Sequence, residues 1–323
     1  VELLRRLCQA FGPSGNEGKI REIIKNEVKP YADEITQDTL GNLIVRKKGT
    51  GKKIMLSAHM DEVGIIVTVI DDKNYIHFSN IGGVKPETLH SSKVEFENGA
   101  VGVVYKKVEK PSKLADFYID SFDACKGDKP YSVKVGDVGV MRGAFDVFGD
   151  FISSKALDDR VGCYILIETL KQISGSENDL YFVFSVQEEL GLRGAKTAAA
   201  GISPDYAIAV DVTTCDDFPG GGKYPLKLGE GPAIKIKDNS IMCHPIIKKH
   251  LSDVAQKHNI KVQYEVLDVG GTDAGAIHTS GAGVATGAIS IPTRYIHTPC
   301  ETVSISDVKG AINLLTKACM EVL

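Results

Sequence analysis

No run of apolar residues in this chain approaches the roughly 20 positions that a membrane-spanning helix needs; the longest, such as Tyr181 to Val186, are far shorter. The first eight residues carry Glu2, Arg5 and Arg6 where the apolar segment of a signal peptide would stand. Neither a membrane span nor an export signal is expected. An excess of positive charge is also lacking: the formal net charge of −4 gives no electrostatic footprint for nucleic acid or an anionic membrane surface. The seven cysteines (Cys8, Cys125, Cys163, Cys215, Cys243, Cys300 and Cys319) are odd in number, show no CxxC spacing and sit in a chain too large to need disulfide staples. Ordinary thiols in a reducing cytoplasm are expected. Internal repeats and low-complexity tracts are missing too, Gly220-Gly221-Gly222 being the nearest thing to one.

What remains is an ordinary globular composition, 43% hydrophobic and 25% charged over 323 residues. That length exceeds a usual single core, so one large domain carrying a smaller one is expected. Ser14 to Val28 has helical spacing, with Ile20, Ile23, Ile24 and Val28 on one stripe. Leu43 to Val45 and Ile54 to Ala58 read as strands of a covered sheet. From Val67 onward the pattern changes to short β-rich runs separated by turns. Asn98-Gly99, between Val94 to Phe96 and Val101 to Val104, signals a hairpin. Past Lys155 helix and strand alternate again: a helix from about Asp159 to Ile173, strands at Tyr181 to Val186, Ala207 to Val210 and Val284 to Ile289, a helix from about Ile246 to His258, and a closing helix through Val308, Ile312, Leu315, Cys319 and Val322. The prediction is an α/β fold with a predominantly parallel sheet, split by an all-β insert: residues 1–66 and 153–323 form the catalytic domain and 67–152 the insert.

Open α/β sheets gather ligands at the carboxyl ends of their strands. The residues delivered there are His59 and Asp61, Glu188 and Glu189, Asp211 and His297, joined by Asp158 at a helix start. Imidazole and carboxylate are the ligands that a divalent metal of hard to borderline character takes. Asp158, Glu189 and Asp211 with a bridging hydroxide carry four negative charges, which balance two divalent cations and leave a neutral cluster that tolerates burial. Each residue alone has a plainer reading. His59-Met60-Asp61 is a polar strand end, Asp158 a helix N-cap, Glu188-Glu189 a solvated loop and Asp211 a turn cap. Asp159 followed by Arg160 reads as a structural ion pair. Residues two apart on an extended chain share a face, so Asp61 is placed to orient His59.

Six blocks in order carry a further signal: Ser57 to Gly64 (SAHMDEVG), Ala156 to Gly162 (ALDDRVG), Gln187 to Ala195 (QEELGLRGA), Asp211 to Thr213 (DVT), Gly270 to Gly275 (GGTDAG) and Arg294 to Pro299 (RYIHTP). Together they resemble the tetrahedral aminopeptidase family of dinuclear metallopeptidases, which includes glutamyl and leucyl aminopeptidases and proteins once labelled endoglucanases. The resemblance implies a three-layer, mostly parallel sheet with helices on both faces, carrying a small inserted β-barrel for assembly and gating. It implies that His59 and Asp211 hold one ion, Glu189 and His297 the other, and that Asp158 bridges them. Asp61 would be the orienting residue and Glu188 the general base. Zinc or cobalt as the metal, short peptides as substrates trimmed from their N-terminus, and a dodecamer built from dimers also follow from the likeness. Gly270 to Gly275 reads either as a plain glycine turn or as a loop exposing its backbone to substrate. Gly271, Thr272 and Asp273, with Arg294, are the expected substrate contacts.

Two other readings compete. Paired carboxylates can hydrolyse glycosides without metal, but that chemistry has no use for the two histidines. A non-catalytic assembly protein on the same fold would be expected to lack Glu188 or a ligand, and this chain has all of them.

Overall fold

A computed structural model describes residues 1–121 and 132–321. Cys125 and Val322 lie outside those residues. Four parallel strands form the centre of the large sheet, in the order Asp179–Ser185, Lys53–His59, Tyr206–Thr214 and Ala285–Arg294. Antiparallel strands extend it on both sides. Leu43–Lys47 and Glu34–Gln37 continue one edge. Glu301–Ser304, Phe151–Ser154 and Asp146–Phe148 continue the other. Ala233–Lys237 also pairs with the Ala285–Arg294 strand and carries Gln263–Val266 beside it. The parallel character expected from the sequence therefore belongs to the centre, where strands buried on both faces need near-continuous apolar sequence.

The Lys53–His59 strand shows how the layers form. Ile54, Leu56 and Ala58 pack into one core with Leu166 and Ile167 of the helix Leu157–Gln172 and with Ile20 and Ile24 of Gly18–Val28. Met55, one residue out of phase, enters a second core with Ala195, Ala198 and Ala199 of the helix Arg193–Ile202. Alternation along a strand thus feeds helices on both faces. The Arg193–Ile202 helix has no counterpart in the sequence reading, because its packing face is alanine and glycine except for Ile202 and leaves little apolar contrast.

Six further strands, Gly64–Ile70, Tyr75–Ile81, Phe117–Asp120, Val101–Lys106, Lys93–Phe96 and Val138–Met141, close into a barrel in that order. Ile65, Val67, Ile76, Phe96, Phe117 and Ile119 are among the side chains that fill it. The turn expected at Asn98-Gly99 joins two of its strands, with Gly99 at φ +87°, a conformation that favours glycine. Asp146–Phe148 and the first two residues of Phe151–Ser154 fall within the 67–152 insert read from sequence, and both strands pair at the edge of the large sheet. Among the described residues no helix is long and apolar enough to cross a membrane.

Candidate metal centre

The cleft opens where the central strands part. Tyr206–Thr214 pairs with Lys53–His59 only as far as Ala209 opposite Ser57. Asp211, two residues further on, is still in strand conformation, not past the strand's end as expected, and faces the space left by the departing neighbour. His59 ends its own strand, Glu188 and Glu189 follow the next one, and His297 follows Ala285–Arg294. Asp158 comes from the start of the helix Leu157–Gln172, where the peptide to Asp159 is cis.

These residues converge. His59 Nε2 lies 3.0 Å from Asp158 Oδ1 and 3.7 Å from Asp211 Oδ1. His297 Nε2 lies 3.2 Å from Asp158 Oδ2 and 3.0 Å from Glu189 Oε1. Asp158 therefore turns one oxygen toward each imidazole. Two groups of three, His59 with Asp158 and Asp211 and Asp158 with Glu189 and His297, bring their ligand atoms within 4.8 Å of one another. A third group of the same span joins His59 to Glu188 and Glu189.

Supporting contacts fix the set. The Asp61 carboxylate accepts from the Ser14 hydroxyl at 2.6 Å and from the N–H groups of Glu188 and Glu189 at 3.0 and 3.2 Å. Its backbone carbonyl lies 3.2 Å from His59 Nδ1, closer than its carboxylate at 3.5 Å. The His59 imidazole thus meets Asp61 nearest at its main chain, and the Asp61 side chain is engaged by the Glu188-Glu189 turn. Asp159 does not pair with Arg160. Its carboxylate accepts from the N–H groups of His59 and Gly162 at 3.2 and 3.0 Å. The fully buried Arg160 instead donates to the carbonyls of Leu7 and Ala10 and pairs with Glu62 at 3.3 Å.

Glu301 was not singled out on sequence. Its buried carboxylate accepts from the N–H groups of both Asp158 and His297, at 2.9 and 2.7 Å. Burial next to Asp158 pushes its pKa up to about 8. Ala156, Gln187, Tyr295 and His297, each within two residues of a member of the cluster or one itself, hold φ between 54° and 64°. Side chains seldom adopt that region, and such strain concentrates where a site must be held in one geometry.

The electrostatics describe a site crowded with negative charge. Burial, together with repulsion from neighbouring carboxylates, drives Glu188 and Asp211 well above the ordinary range, and burial raises Glu189. Burial opposes charge on both imidazoles, yet the surrounding carboxylates win: His297 rises to about 11 through Asp158 and Glu189, and His59 also shifts well upward. Burial works against ionised Asp158 too, but the two imidazoles hold it below its usual range. Without cations, this cluster would be satisfied only by binding protons. A donor set of imidazole and carboxylate with surplus buried negative charge fits divalent metal, and the residues present suit two ions.

The cleft beside the cluster holds about 490 Å³ and is lined by His59, Asp158, Glu188, Glu189, Asp211 and His297 together with Gly270 and Gly271. Thr272 and Asp273 are buried and do not line it. Asp273 opens a short helix and receives the hydroxyls of Ser57 and Ser185 beneath the central strands, at 2.5 and 2.6 Å. Arg294 is likewise off the wall, tied to Asp217 at 2.7 Å. Of the four expected substrate contacts only Gly271 faces the cleft. Lys85, Leu192, Thr213, Leu267 and Val269 form more of the wall, and their scattered positions gave sequence reasoning nothing to gather.

Known aminopeptidases resemble this chain over nearly its whole length. The profile of the M42 glutamyl aminopeptidase family matches residues 41–314. The lysyl aminopeptidase of Pyrococcus furiosus is 35% identical, over 99% of this chain and 96% of its own length. A solved aminopeptidase of Desulfurococcus kamchatkensis superimposes with a TM-score of 0.95 at 36% identity, covering 100% of this chain and 94% of its own. The Pyrococcus horikoshii TET1 peptidase, described as assembling into a tetrahedron or a large octahedral shell, reaches a TM-score of 0.88 at 33% identity over 99% of each chain.

Proposed function

The chain belongs to the M42 glutamyl aminopeptidase family, and from that premise we propose a dinuclear mechanism by which it removes N-terminal residues from short peptides. It is an aminopeptidase, a hydrolase of peptide bonds. The observation that carries the dinuclear reading is Asp158, whose two oxygens face different imidazoles at 3.0 and 3.2 Å. In this reading His59 and Asp211 hold one divalent ion, Glu189 and His297 the other, and Asp158 serves both. Zinc and cobalt suit this mixture of nitrogen and oxygen ligands.

When bound, the two cations would polarise the scissile carbonyl and acidify the attacking water. The remaining work falls to side chains. Glu188, buried with Oε2 at 3.9 Å from His59 Nε2, takes the proton of the attacking water and returns it to the departing amine. Asp61 holds that glutamate in place through the N–H groups of Glu188 and Glu189. Cleavage at a free N-terminus follows from the family to which the chain belongs. A glycoside hydrolase would need only the carboxylates; here the imidazoles share them. The likeness to shell-forming peptidases supports a homo-oligomer, read as a dodecamer built from dimers, and the cysteines, unpaired among the described residues, support a cytoplasmic location.

Metal-stripped protein should leave aminoacyl-arylamides intact and regain hydrolysis when zinc or cobalt is restored, while N-acetylated versions of the same substrates stay intact throughout. Turnover that survives thorough chelation, or equal cleavage of the acetylated substrates, would contradict the proposal. Screening a panel of aminoacyl groups in the same assay reports the preferred N-terminal residue.

A further inference from the structure

The barrel reaches the metal centre through Gly82 to Lys85, the segment that follows its strand Tyr75–Ile81. The Gly83 carbonyl lies 3.0 Å from His297 Nδ1. Lys85 Nζ donates to the carbonyl of Ile296 at 2.7 Å. A side-chain carbon at Gly83 would stand 2.6 Å from His297 Nδ1 and 2.7 Å from Cε1, and one at Gly82 would stand 3.0 Å from Glu189 Cβ. Both positions are glycine where the imidazole and the carboxylate already occupy the space.

The other imidazole is held differently. His59 Nδ1 meets the carbonyl of Asp61, two residues along its own chain segment, and its partners Asp158 and Asp211 come from the large sheet and the helix behind it. His297 follows a segment in which Tyr295 and His297 itself hold φ of 60° and 64°. Backbone of that kind persists only where its surroundings impose it, and Lys85 and Gly83 belong to those surroundings.

We propose that Gly82 to Lys85 is a positioning element for one metal ion of the two: the Gly83 carbonyl accepts the Nδ1 proton of His297, which leaves Nε2 free to face Asp158 and Glu189. The ion assigned to Glu189 and His297 then depends on how the barrel sits, and the ion assigned to His59 and Asp211 does not. Partners that fix a ligating imidazole in this way typically contribute about 10–100-fold to metal affinity. The inference rests on the dinuclear reading.

Stepwise cobalt binding to the full chain tests it, followed by competition with a chelating dye and by the visible absorption of each bound ion. In Gly83→Ala one of the two affinities should fall about 10–100-fold and the other stay as in the unaltered chain. The absorption component lost should be the one that His297→Ala also removes. Lys85→Met fills no space, so it provides a second test even if Gly83→Ala does not fold; it should weaken the same ion to a smaller degree. Two unchanged affinities in Lys85→Met, or both ions weakened alike, would overturn the role of the barrel segment. An unaltered chain that binds fewer than two ions would overturn the dinuclear reading itself, and the proposal with it.

Discussion

Replacing Glu188 by glutamine should leave both metal ions in place and lower kcat by about 10²–10⁴-fold, the range typical of a lost general base. Glutamine has nearly the same shape but cannot accept a proton from water and hand it to the leaving amine. The fold should tolerate the change. The contact of the Glu188 carboxylate with His59 Nε2 is a distant 3.9 Å, and burial and its acidic neighbours already disfavour its charge. Removing that charge relieves repulsion from Asp211, Glu189 and Asp273. Parallel measurement of metal content, KM and kcat separates the roles. Two ions retained with KM nearly unchanged and kcat collapsed would mark a group that acts on the proton. Normal turnover would remove Glu188 from the mechanism, and loss of an ion would make it a ligand, as the third grouping with His59 and Glu189 would allow.

The second large effect is expected at Asp158. Asp158→Ala should cost both ions, because the side chain serves His59 with one oxygen and His297 with the other. Loss of a supporting partner typically weakens a metal by about 10–100-fold, and removing the side chain proposed to serve both ions should exceed that at each. Dialysed protein should then retain less than one ion per chain, with no arylamide hydrolysis. The main-chain contact from Asp158 N–H to Glu301 does not involve the lost side chain, so circular dichroism should show a native fold. An Asp158→Ala protein that still held two ions after dialysis would show that the ions bind without a shared carboxylate.

Much of this centre can be read from sequence because of where its residues stand. Apolar runs such as Ile54 to Ala58 end abruptly in His59 and Asp61, and Tyr181 to Val186 leads into Glu188 and Glu189. A buried parallel strand has to be apolar, so the polar residue that ends it is conspicuous. Glu301 and Gly83 lack that contrast. The glutamate opens a short strand beside threonines and works on backbone N–H groups, and the glycine works through its carbonyl, which every residue possesses. Asp159 and Arg160 misled for a related reason: adjacency in sequence suggested a pair, but helix geometry sends Arg160 to Glu62 and the N-terminal segment.

Edge strands were hard to read for a different reason. Glu34–Gln37 and Asp146–Phe148 are largely exposed and show no burial alternation to betray them. The cleft wall was hardest of all. Lys85 comes from the segment after a barrel strand, Leu192 from the turn before a helix and Val269 from a loop, and only the folded topology brings them together.

Anomalous diffraction from crystals of the cobalt-loaded protein, collected above and below the metal edge, tests the central claim most directly. Two peaks per chain are expected, each about 2 Å from an imidazole nitrogen, one at His59 and Asp211 and one at Glu189 and His297, with Asp158 between them. A single peak, or a pair in which Asp158 touches neither ion, would contradict the account.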